Sequence, residues 1–200
     1  PLTLILGTEP PHIYRLDDAH SSAVARIHTF DELACSSEWF TPWGGPPAVR
    51  SLARAAENIV YADIHVGSIM RSFDCGQHWE PVTAALDQDV HQVCTCPAAA
   101  ERVYANTADA VWVSCDYGDS WQHRPFPHAV SYGRAVTVHP HDPDCILATA
   151  STGPHGDDVR GRELARGVCL GEERAQALVG VPGLLGRGAR VGDLDGDIAP

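Results

Sequence analysis

The chain has 200 residues, with 14 basic against 26 acidic side chains and a formal charge of −12, and every basic residue is Arg. An acidic chain without a polybasic run lacks the clustered cations that displace counterions from duplex nucleic acid or neutralise an anionic membrane, so neither is an expected partner. No stretch approaches the ~18 consecutive apolar residues of a membrane-spanning helix, while 44% hydrophobic residues suffice for a core.

In chain order, the first unit, residues 1–48, opens with short apolar segments that include Ile13-Tyr14-Arg15-Leu16 followed by Asp17-Asp18. A long connection, Ala19 to Pro47, comes next. Its Trp39, Phe40 and Trp43 among Pro and Gly are too many aromatics for a disordered segment, so it reads as an ordered loop packing on the body. The second unit, 49–88, has a strand opening at Arg50-Ser51-Leu52, a second strand at Val60-Tyr61-Ala62 and a third at Ile69 to Ser72. The third unit, 89–131, repeats them as His91-Gln92-Val93, Val103-Tyr104-Ala105 and Val111 to Ser114, with a fourth strand expected after Trp121. The fourth unit, 132–156, repeats the first two as Arg134-Ala135-Val136 and Ile146-Leu147-Ala148. Separate motifs thus recur at a spacing of about 40–45 residues, the length of one four-stranded blade.

Units two and three also share Ser-x-Asp-x-Gly-x-x-Trp, as Ser72, Asp74, Gly76, Trp79 and as Ser114, Asp116, Gly118, Trp121. The chemistry of this box is local. Asp accepts hydrogen bonds from turn amides, Gly takes a positive φ, and Trp covers the strand interface, which makes a structural clasp between strands three and four. The fold class expected is all-β, a partial β-propeller of four-stranded antiparallel blades with about three to four blades present.

The two boxes resemble the Asp-box, or BNR, repeat of sialidase-like propellers, a superfamily that also includes sortilin-type receptors, oligoxyloglucan-cleaving hydrolases and photosystem-assembly propellers. Gly7-Thr8-Glu9-Pro10 and the loop Thr152 to Gly156 are similar to segments of bacterial propellers labelled glycosyl hydrolase or BNR-repeat protein. The resemblance covers residues 4 to 156 and implies a fold rather than an activity, because the box occurs in enzymes and receptors alike. The first unit departs from the pattern: Ile13 to Asp18 aligns with Ile69 to Asp74 but lacks the Ser, Gly and Trp of the box.

Residues 157–200 read as a Gly/Arg-rich tail. Eleven of the 18 glycines lie in 151–200, no aromatic residue follows Tyr132, and six of the 14 arginines lie beyond Asp158. The expectation is a disordered or frameshifted segment of a high-GC coding sequence, with a genuine divergent tail as the rival; within it, Glu172 to Val179 is at most a weak candidate for a short helix. Asp193-Leu-Asp195-Gly-Asp197 looks like the start of a calcium loop but lacks its distal ligand. His139-Pro-His141-Asp142-Pro143 aligns with the turn after Cys96 and reads as a turn, not a metal site. The seven cysteines (Cys35, Cys75, Cys94, Cys96, Cys115, Cys145 and Cys169) include no C-x-x-C pair and read as reduced core thiols. No metal or other cofactor is expected. The reading places the chain in the cytoplasm, with a leader ahead of Pro1 left open.

In an up-and-down blade the residues opening each first strand share a face with the loops between strands two and three, opposite the boxes. That places Arg50, His91, Tyr132 and Arg134 around a funnel, joined by His65 and Glu9 from the loops and by Asp89. Two functions compete for this face. The first is a binding or scaffold propeller that holds an anionic small molecule, a glycan or an acidic peptide through charge-assisted hydrogen bonds. The second is a sialidase-like or oligoxyloglucan-hydrolase-like glycosidase, which needs paired carboxylates; Glu9 and Asp89 are the weak candidates, with Asp63 behind them. The repeats amount to about half a ring, so missing blades or self-association through open edges are the expected partners.

Overall fold

The computed structural model describes residues 3–17, 23–82, 85–126 and 132–154 in full, and the backbone of 166–169 and 176–179. Its strands form four antiparallel sheets, each a meander in which neighbours in sequence are neighbours in space. The first holds β1 (Leu4–Gly7), β2 (Ile13–Leu16) and β3 (Ala25–Arg26). The second holds β4 (Val49–Arg54), β5 (Val60–Ile64), β6 (Ser68–Ser72) and β7 (Glu80–Pro81); the third holds β8 (Val90–Cys96), β9 (Ala99–Thr107), β10 (Ala110–Ser114) and β11 (Gln122–Pro125). The fourth holds β12 (Tyr132–His139), β13 (Asp142–Ser151), β14 (Arg166–Cys169) and β15 (Gln176–Val179).

Strands two and three of the complete blades are buried because both faces are covered by neighbouring blades; β5 is buried at all five positions. One apolar cluster joins Tyr61 and Ile69 of the second blade to Val93 and Val103 of the third, and another joins Tyr104 and Val113 of the third to Val136 and Ile146 of the fourth. The first strands meet side by side, β4 against β8 and β8 against β12. At equivalent positions a side chain of one first strand accepts from the backbone of the next: Val93 N–H donates to Ser51 Oγ (3.0 Å) and Val136 N–H to Gln92 Oε1 (2.9 Å).

The first blade has three strands, and β2, which aligns with β6, is its middle one. The following connection carries α1 (His28–Asp31) and a 3-10 turn over Ala34–Glu38. Phe30 is fully buried and stacks edge-on against Trp79 with ring centres 5.4 Å apart, while Trp39 packs on Phe30. The connection is ordered and packs on the second blade through Phe30 and Trp39, although not every aromatic of it is buried. Trp39 is buried, but Phe40 is 52% and Trp43 73% exposed.

The fourth sheet corrects two expectations. Strands β14 and β15 lie inside the stretch read as a tail, and β15 occupies residues that were a weak candidate for a short helix. Backbone pairing explains this. The outer edge of β13 at Leu147–Ala150 offers N–H and C=O groups that β14 satisfies without demanding particular side chains. The rest of 157–200, with Asp193 to Asp197 and the frameshift reading, lies outside the described residues. His139 ends β12 and Asp142 begins β13, so the His-x-His segment is a turn. The six described cysteines are free thiols; Cys96 is fully buried and Cys35 and Cys94 pack against the apolar clusters, so the core-thiol reading fits these three, whereas Cys115 is exposed.

Candidate functional site

The two boxes fold into matching clasps on the face away from the funnel. Ser72 Oγ accepts from Gly76 N–H (2.8 Å), and Ser114 Oγ from Gly118 N–H (2.7 Å). Asp74 Oδ1 accepts from the N–H groups of Gln77 and His78, and Asp116 Oδ1 from that of Ser120. Burial pushes the Asp74 carboxyl upward, but the donors of His78, Ser72 and Gln77 outweigh it and hold it at about 2. Gly76 and Gly118 have φ of +81° and +97°, which satisfies the requirement for a positive-φ residue. The Trp79 indole donates to Gly76 O, whereas the buried Trp121 indole N–H has no partner among the described residues. Both carboxylates are consumed by their own turns, so the boxes hold the blades and offer no reactive group.

On the other face, a cavity of about 580 Å³ is lined by Pro42, Trp43, Arg50, His65, Asp89, His91, Tyr132, Arg134 and Pro154. Arg50, His91, Tyr132 and Arg134 come from β4, β8 and β12. His65 comes from the turn between β5 and β6, and Asp89 immediately precedes β8. Glu9 lines a neighbouring cavity of about 250 Å³ that shares Trp43, Arg50 and His65 with the first. Asp63 faces inward and is fully buried, bonded to the Ser51 hydroxyl, so it lines neither cavity. Trp43 and Pro42 are the lining residues that sequence reasoning did not assign to the site. The Trp43 ring stacks on His65 at 4.6 Å, and the available signal was an aromatic in a Pro/Gly-rich loop with no hydrophobic periodicity to bury it.

The floor of the cavity is a chain of polar contacts. Arg50 Nη1 donates to His65 Nδ1 (2.7 Å), Asp89 Oδ1 lies 3.5 Å from His65 Nδ1 and 3.2 Å from His91 Nε2, and His91 Nδ1 donates to Gly133 O (2.6 Å). Gly133 itself is held tightly against the third blade, since a Cβ there would come within 1.8 Å of Asn106 Oδ1. Above the floor, the Arg134 guanidinium sits 4.9 Å over the Tyr132 ring and donates to Ser151 Oγ, Gly153 O and Pro154 O, which anchors the loop after β13. Burial and the Arg50 charge depress the His65 pKa despite Asp89. Burial raises the Asp89 carboxyl, but His91, His65 and Arg50 together hold it below its ordinary value, as a carboxylate. Burial raises the Tyr132 phenol, reinforced by the charge of Asp89.

The family model described as "Sortilin, neurotensin receptor 3" (Sortilin-Vps10) matches residues 67–164. Among solved structures, an ancestral GH74 enzyme superposes on 91% of this chain and 24% of its own, with 15% identity and a TM-score of 0.65. The GH74 xyloglucanase from Xanthomonas campestris superposes on 76% of this chain and 26% of its own, with 14% identity and a TM-score of 0.50. This chain therefore spans about a quarter of the length of the propellers it resembles. No curated protein sequence matches it. The repeat, the blades and these likenesses agree on one fold, a partial all-β propeller.

Proposed function

We propose that the funnel binds an anionic ligand, a carboxylate, a phosphate or an acidic peptide segment, without turning it over. The observation that carries this reading is the convergence of Arg50 and Arg134, from first strands of different blades, on one cavity walled by Trp43 and Tyr132. Arg50 makes its hydrogen bond to a neutral acceptor, His65, and shares its charge with Asp89 at the floor of the cavity. A planar guanidinium binds carboxylate or phosphate through charge-assisted bonds worth roughly twice a neutral pair. The aromatic walls would cover the apolar part of such a ligand.

The rival reading, a glycosidase, is favoured by Asp89 and Glu9 lying on the same face in adjoining cavities. It requires one acid and one ionised base or nucleophile; Asp89, held as a carboxylate, suits only the second part, so the acid would have to be Glu9. Asp63 is raised to about 6 but is sealed from both cavities.

Calorimetric titration with acidic peptides, sialic acid, inorganic phosphate and neutral xyloglucan oligosaccharides separates the readings. The expected result is salt-sensitive binding of an anionic probe, weakened about tenfold by Arg50→Ala and by Arg134→Ala. Equal affinity for neutral oligosaccharides, or hydrolysis lost in Glu9→Gln and Asp89→Asn, would overturn it in favour of the glycosidase.

A further inference from the structure

His65, Asp89 and His91 form a compact group on the floor of the same cavity. The Gly133 carbonyl can only accept, so His91 Nδ1 carries a proton, and Nε2 is the ring nitrogen left to face Asp89. The Arg50 guanidinium can only donate, so His65 Nδ1 carries a lone pair. Asp89 Oδ1 is the third atom of the group. It is buried, lies 3.2 Å from His91 Nε2 and 3.5 Å from His65 Nδ1, and has no aligned hydrogen bond. The donor atoms of the three residues lie within 4.8 Å of one another. Two imidazole nitrogens and a carboxylate oxygen that converge on one point can be bridged by a metal ion, which displaces any proton held between them.

We propose that His65 Nδ1, Asp89 Oδ1 and His91 Nε2 bind a divalent transition-metal ion of the zinc type, with its remaining positions open to the cavity. Three donors each about 2.1 Å from a tetrahedral ion stand about 3.4 Å apart, close to the 3.2 and 3.5 Å found. Two histidines and one carboxylate with open positions is a donor set suited to zinc or ferrous iron. The Gly133 carbonyl plays the part of the outer partner that fixes the tautomer of a ligating histidine. Arg50 competes for His65 Nδ1 and must rotate away as the ion enters, which its exposed side chain permits. The anion-binding reading enters only at the open positions, where an oxygen of the ligand would complete the coordination.

The test uses the full chain, stripped with EDTA, dialysed and titrated with Zn²⁺ by calorimetry and with Co²⁺ by visible absorption, with no anionic ligand added. One equivalent should bind, with Co²⁺ bands of four- or five-fold coordination. Affinity should fall at least about tenfold in Asp89→Asn and in His91→Ala. It should rise several-fold in Arg50→Gln, which removes the competitor, and stay unchanged in the His139→Ala/His141→Ala double variant. In the unmutated chain, Co²⁺ should shift the ring resonances of His65 and His91 and spare those of His123, a readout that survives if a variant fails to fold. Absence of stoichiometric uptake, undiminished uptake in Asp89→Asn and His91→Ala, or weaker uptake in Arg50→Gln would overturn the proposal. Titrating the stripped chain with the anionic probes tests the other reading separately, because binding there does not require the ion.

Discussion

Asp63 shows how position outweighs residue type. It sits on β5 among apolar neighbours, with Oδ1 bonded to the Ser51 hydroxyl and Oδ2 buried without a partner. Burial raises its carboxyl from 3.8 to about 6, against the pull of Ser51 and Arg50. The native state therefore holds a proton where the unfolded chain has released one, so stability from this group is present at low pH and fades as pH rises through about 4 to 6. Asp63→Asn should melt increasingly above the unmutated chain as pH is raised from 4 to 7, by up to about 3 kcal/mol for two pH units of displacement. Melting curves across that range check this, and a constant gap would contradict it. The sequence offered Asp63 as a reserve catalytic acid because a period-two strand shows which residues share a face, not whether both faces are covered.

The box hairpin is the element whose sequence and structure correspond best. Ser72 is fully buried, and its hydroxyl is both donor to Asp74 and acceptor for the amide of Gly76. Ser72→Ala would leave that amide unpaired, so it should cost about 1–3 kcal/mol in urea unfolding. The glycines do more than turn the chain. A Cβ on Gly118 would stand 2.9 Å from Val82 of the preceding blade, in a backbone conformation that alanine resists. Gly118→Ala should therefore cost about 1–3 kcal/mol, whereas Gly153→Ala, with open space around it, should stay within about 0.5 kcal/mol. Equal effects at the two glycines would show that the box is not wedged between blades.

At the scale of the whole molecule, each blade relies on its neighbour to cover one face. On β1, Ile5 packs toward the second blade while Leu4 and Leu6 are 40% and 47% exposed; on β13, Ile146 faces the third blade and Leu147 is 42% exposed. The end blades thus present apolar side chains outward, where a further blade would pack in a ring. The chain on its own should associate with rising concentration, and the Leu6→Glu/Leu147→Glu double variant should reduce this, as read by light scattering after size exclusion. A monomer of unchanged size up to about 100 µM would contradict the idea.

Repeat length, strand order and the box turns were legible in the sequence because they are local. Period-two burial, a positive-φ glycine and a short-range Ser–Asp–amide network each need only residues a few positions apart. The face shared by Arg50, His91 and Arg134 followed from the same repeat. Only the tertiary structure brought Trp43 from the long connection onto His65, sealed Asp63 between two sheets and aimed His65, Asp89 and His91 at one point. Those contacts join segments from different blades, and their distances depend on how twisted sheets pack side by side, which no single repeat encodes.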